Sequence, residues 1–80
     1  MQPLPELIEA CRRAGMRITP QRLAIFECLR EQRGHLSAEE VYQSVRERHP
    51  TLSFATVYNT LEMLTRMGQV REVIVDELRR

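Results

Sequence analysis

The sequence predicts a mainly α domain, with four short helices followed by a short β-segment. Three observations predict it. Apolar residues recur at three- and four-residue spacing through four successive runs. Gly15, Gly34 and Gly68 each follow such a run, where a left-handed C-terminal cap sits. After Gly68 the pattern changes to the β-branched stretch "QVREVIV".

The first run, Leu4 to Ala14, places Leu4, Leu7, Ile8, Cys11 and Ala14 on one face. The second starts at "TPQR", where Thr19 caps and Pro20 takes the first helical position, which needs no N–H. Its stripe is Leu23, Phe26 and Leu29, with Ile25 and Cys28 beside it. The third starts at "SAEE", in which Ser37 and Glu40 have capping-box spacing. Val41, Tyr42 and Val45 share its face, and His49-Pro50 ends it because the residue before proline avoids the helical region. A tight "PTL" connection leads to the fourth helix, capped by Ser53 and striped by Val57, Leu61 and Leu64, with Phe54 extending the stripe. Val70 to Val75 reads as a strand, and "DELRR" begins a turn.

Eighty residues form one domain, 1–80, with one modest core. Hydrophobic content of 42% and charged content of 29% suit a soluble globule. No apolar run approaches the roughly 20 residues of a membrane span. The start, "MQPLPELIEA", has no basic region leading into an apolar stretch, so no signal peptide is expected and a cytoplasmic location is. Cys11 and Cys28 make no C-x-x-C pair and cannot build a four-ligand zinc site; they are expected to be buried thiols. No nucleophile, base and orienter set stands out, nor a phosphate loop, so an enzyme is not expected.

The net charge of +1 does not by itself indicate nucleic acid. All twelve basic residues are Arg, a bias that genome composition largely explains, although the planar guanidinium also suits phosphate and guanine. Between Cys11 and Gly34 six Arg face only Glu27 and Glu31, a weak basic patch.

Four helices and a strand in this order fit a winged helix-turn-helix domain with a short β-wing, whose return strand is barely begun at Arg79-Arg80. In that arrangement the fourth helix enters the major groove of double-stranded DNA by its N-terminal end. The residues there suit the task. Ala55 permits close approach to a base edge or a thymine methyl, and Thr56 and Asn59 offer hydrogen bonds. The Tyr58 hydroxyl reaches a phosphate, or its ring packs on thymine methyls. Ser53 at the helix start favours a phosphate beside it. The alternative is a protein-interaction module that docks through the 70–75 edge strand.

Three stretches together resemble the ferric uptake regulator family of bacterial metal-dependent repressors. "GMRITPQR" (15–22) resembles its Gly-Leu-Arg/Lys-x-Thr-x-Gln-Arg segment, and "HLSAEEVY" (35–42) its His-x-Ser/Thr-Ala-Glu-Glu/Asp-hydrophobic-Tyr segment. "SFATVYNTLEMLTRMGQV" (53–70) is similar to its recognition helix and the Gly-Leu-Val after it. The match runs in order from about Pro5 to Val75.

The resemblance implies the N-terminal winged-helix domain of a dimeric repressor that binds AT-rich inverted repeats. Arg17 matches the basic residue that reaches into the minor groove, and Tyr58 the tyrosine that contacts thymines. Asn59 stands where many members have Arg and others Asn, notably in the peroxide-sensing branch, which tilts the resemblance slightly that way. His35 matches a position that supplies one regulatory metal ligand in the intact family protein; His49 matches no family role. The family uses zinc plus a regulatory iron, manganese, zinc or nickel ion, bound mainly by a C-terminal half that also carries the dimerisation sheet. Residues 1–80 match only the DNA-binding domain, so no cofactor is expected in this chain, and it is expected to be monomeric or weakly self-associating through its open edge.

Overall fold

The computed structural model describes residues 3–31 and 37–69. They form α1 (Leu4–Arg13), α2 (Pro20–Glu31), α3 (Ala38–Arg46) and α4 (Phe54–Arg66), the four predicted helices in order. The strand expected over Val70–Val75, the return segment at Arg79-Arg80, Gly34 and His35 all lie outside the described residues.

Three of the four helices open on a side-chain cap legible in the sequence, whereas α1 starts after Pro3 without one. The Thr19 Oγ1 accepts from the Arg22 N–H at 3.2 Å, and Pro20 opens α2. At α3 the capping box is complete: the Glu40 N–H donates to Ser37 Oγ at 3.1 Å, and the Ser37 N–H donates to Glu40 Oε1 at 2.8 Å. Ser53 Oγ caps α4 by accepting from the Thr56 N–H at 3.1 Å. Helices α1 and α4 end in the same way. Gly15 and Gly68 take φ of 91° and 76°. Beyond them the Met16 N–H returns to the Cys11 carbonyl and the Gln69 N–H to the Leu64 carbonyl, both at 2.8 Å.

Helix α2 is the centre of the fold because it buries two flanks. Ile25 and Cys28 pack with Val41 and Val45 of α3 and with Val57 and Leu61 of α4. Phe26 packs instead with Leu7 and Cys11 of α1 and with Met16 and Leu64. This reverses the expected order within α2: Ile25 and Cys28 are core, whereas Leu23 and Leu29 are only half-buried. A helix packed on two sides buries an arc wider than one stripe.

Three further expectations are corrected. Ala14 is exposed, because α1 stops at Arg13 and Ala14 turns away as its C-cap. Phe54 does not extend the α4 core; it is 39% exposed. The link between α3 and α4 is longer than "PTL", spanning residues 47–53. The helix yields well before Pro50, and the Arg48 and His49 N–H groups both turn back to the Val45 carbonyl at 3.1 Å. Leu52, buried within this link, anchors it to the core.

Candidate nucleic-acid interface

The candidate surface is built on α4. Val57, Thr60, Leu61 and Leu64 are fully buried and root the helix against α2 and α3. Thr60 was not foreseen as a core residue. It is tolerated there because its Oγ1 donates to the Thr56 carbonyl at 2.7 Å, which satisfies the hydroxyl inside the helix itself. Helical spacing was the available signal: Thr60 lies three residues after Val57 and four before Leu64, on the buried stripe.

With one side rooted, the opposite side of the first two turns is presented outward. Ala55 and Asn59 are exposed, whereas Thr56 and Tyr58 are half-buried. Tyr58 rests against the cluster around Ile25, Val57 and Leu61, so its ring is supported from behind. The Thr56 hydroxyl lies 2.9 Å from Ser53 Oγ, which links the cap and the first turn. The carboxamide of Asn59 is thus an exposed bidentate group within the first two turns of this face. Farther along, Glu62 pairs with Arg66 at 3.9 Å. The charge there is internally compensated, as for an ordinary solvated helix surface.

Arg17 is exposed on the connector between α1 and α2. The Arg22 guanidinium donates from Nη1 to the Arg17 carbonyl at 2.8 Å, fastening that connector to α2. One residue earlier, Gln21 Nε2 donates to Thr51 Oγ1 at 3.1 Å, on the link that leads into α4. The first turn of α2 therefore touches both the segment that carries Arg17 and the approach to Ser53. Sequence reasoning missed Arg22 and Gln21 as organisers, although both stand in the quoted "GMRITPQR" stretch.

A second unforeseen feature flanks the α4 N-terminus. The rings of Phe54 and Tyr42 meet edge to face, with centroids 5.6 Å apart. The Arg46 guanidinium lies over the Tyr42 ring, 5.3 Å from its centroid. The i to i+4 spacing of Tyr42 and Arg46 was the available signal.

The described residues do not fit a metal site. No group of three or more His, Cys, Asp or Glu side chains among them is arranged to hold an ion. Cys11 and Cys28 are free, buried thiols in different clusters. Burial pushes the Cys11 thiol above its ordinary pKa, against a smaller opposing pull from the Arg22 guanidinium, so the ligating thiolate is disfavoured. Among the described residues no helix is long and apolar enough to cross a membrane.

Comparison with known proteins identifies the family. The chain is 43% identical over 70 residues to the peroxide-responsive repressor PerR of Staphylococcus epidermidis, a match covering 88% of this chain and 47% of that protein. It is 40% identical over 70 residues to the peroxide operon regulator of Bacillus subtilis, covering 88% and 48%. The PerR of Staphylococcus aureus strain USA300 shares 43% identity over 70 residues, covering 88% and 47%. The chain thus spans about half the length of the curated relatives it matches. The profile of the family described as "Ferric uptake regulator family" matches residues 13–80. Four helices in this order, the three quoted motifs and these matches together establish that the chain belongs to the ferric uptake regulator family.

Proposed function

We propose that the chain is a sequence-specific DNA-binding domain of a transcriptional repressor, with the N-terminal half of α4 in the major groove. The observation that carries this reading is the α4 surface itself. A helix rooted by four fully buried residues displays Ala55 and Asn59, with Tyr58 and Thr56 beside them, where a purely solvated helix would carry charge. Ala55 admits a base edge or a thymine methyl, Asn59 pairs with adenine through two hydrogen bonds, and Tyr58 meets thymine methyls or a phosphate. The Ser53–Thr56 cap prepares the helix N-terminus for a phosphate. Arg17, held through its carbonyl by Arg22, reaches the neighbouring minor groove, where a narrow A-tract attracts guanidinium.

Similarity to peroxide-responsive repressors supports a repressor role, and the resemblance of the three motifs to the family implies an AT-rich inverted repeat as the target and a homodimer as the full-length form that reads it. The same similarity supports metal-responsive control in the full-length protein, with His35 as one ligand. That residue lies outside the described residues.

The test is a fluorescence titration of the chain against an AT-rich inverted repeat and a scrambled duplex of the same composition. Tighter binding to the repeat, lost in Arg17→Ala and Tyr58→Ala, is the expected result. Equal binding to both duplexes, weakening steeply with salt, would show phosphate attraction without base reading.

A further inference from the structure

We propose that Arg46 is a phosphate-binding residue, held over the Tyr42 ring and indexed by Phe54, that grips the DNA backbone beside the N-terminus of α4. The inference rests on the DNA-binding reading above and adds a contact outside α4 and outside the Arg17 segment.

Three observations place it there. Arg46 is in the last turn of α3, the first helix of the helix-turn-helix pair, which crosses the DNA backbone while its partner enters the groove. It is exposed, and among the described residues no carboxylate lies within ion-pair distance of it, in contrast to Arg66, which Glu62 holds. Its guanidinium sits over the Tyr42 ring, and Tyr42 in turn meets Phe54, the first residue of α4. The two contacts form a chain from the recognition helix to the cation.

A cation–π contact holds the charge over a ring and leaves N–H donors of the guanidinium available for a phosphate contact. A guanidinium held over a ring also has less freedom to lose on binding than one on an unsupported side chain. Because Phe54 leads α4, the position of the cation is tied to the helix that reads the bases. The exposure of Phe54 fits as well: an aromatic ring left 39% open at a helix start is covered once a duplex is seated beside it.

The experiment is a salt series on the 80-residue chain with the AT-rich repeat and the scrambled duplex. Arg46→Gln is expected to weaken binding to both duplexes by the same factor. It should also lower the slope of log affinity against log salt by about one. Arg46→Lys, which keeps the charge and loses the planar guanidinium, is expected to keep the slope with reduced affinity. Arg66→Gln removes a cation already paired with Glu62 and is expected to leave the slope unchanged. Circular dichroism checks that each variant keeps its helix content; should Arg46→Gln fail to fold, Arg46→Met is read by the same slope criterion. An unchanged slope in folded Arg46→Gln overturns the proposal, as does an equal loss in Arg66→Gln, which would reflect net charge alone. Failure of the unaltered chain to bind either duplex overturns the DNA reading itself, whereas a binding chain insensitive to Arg46→Gln sinks only this inference.

Discussion

The Arg22 side chain spans the connector between α1 and α2 and donates from Nη1 to the Arg17 carbonyl at 2.8 Å. Its Nε is buried and has no hydrogen-bond partner among the described residues. A stranded donor costs about 1–3 kcal/mol, and a hydrogen bond from a charged group returns a similar amount. The two effects nearly cancel in stability, so the consequence of Arg22 is geometric: it holds the backbone that carries Arg17.

That cancellation makes Arg22→Met informative. Methionine keeps the apolar stem and removes both the bond and the stranded donor. Thermal unfolding is expected to show a stability change below about 1 kcal/mol. Affinity for the AT-rich repeat should nevertheless fall several-fold relative to the Arg66→Gln charge control. A large loss of stability with binding retained per folded molecule would contradict the positioning role.

Ser53→Ala removes the oxygen that accepts from the Thr56 N–H and contacts the Thr56 hydroxyl. Loss of such a cap costs about 1 kcal/mol. Denaturant unfolding should show that decrease. Ser53→Asp, which restores an acceptor, should recover the stability yet weaken DNA binding, because its charge repels the phosphate expected at the helix N-terminus.

Leu61→Ala empties a fully buried position where α4 meets the α2–α3 cluster. The expected cost is about 2–5 kcal/mol, a large share of what a domain of this size has available. Calorimetry should find the variant largely or wholly unfolded. Near-native stability would mean that α4 is not rooted as described.

Gly68 has φ of 76°, and among the described residues a Cβ placed there would meet nothing within 4 Å. The expected cost of Gly68→Ala is backbone strain, about 1 kcal/mol, the scale of left-handed geometry for an L-residue. Gly68→Asn should recover part of it, since asparagine tolerates that conformation better. Paired unfolding curves check both.

Both cysteines are buried, so thiol reagents should label neither until the chain unfolds, and both in denaturant. Burial raises the folded-state pKa of Cys11 above the ordinary 9.0. The stability linked to its protonated form is then fully present below pH 9.0 and is lost as pH rises through the higher folded value. The stability gap between the unaltered chain and Cys11→Ala should be constant below that pH and shrink above it. A gap independent of pH would show that Cys11 is not desolvated by folding.

Local chemistry made much of this fold legible without coordinates. Thr19, Ser37 and Ser53 announce helix starts because a short side-chain oxygen satisfies a terminal N–H within three residues, a relation that needs no tertiary partner. Gly15 and Gly68 announce helix ends because only a residue without Cβ takes positive φ freely. The outward placement of Ala55 and Asn59 followed from helical periodicity once Val57, Leu61 and Leu64 were assigned to the core.

What periodicity could not decide was where a second neighbour packs. Helix α2 buries Ile25 and Cys28 on one flank and Phe26 on another because α1 and the α3–α4 pair approach it from different sides. Phe54 is 39% exposed and meets Tyr42 of α3 edge to face, a contact that no pattern along α4 announces. The contacts that organise the candidate interface, Arg22 to Arg17, Gln21 to Thr51 and Phe54 through Tyr42 to Arg46, include links between elements distant in sequence. Caps, turns and apolar spacing are properties of a few neighbouring residues and are written in the chain. Which side chains meet across helices depends on how those helices pack, and only the folded arrangement decides it.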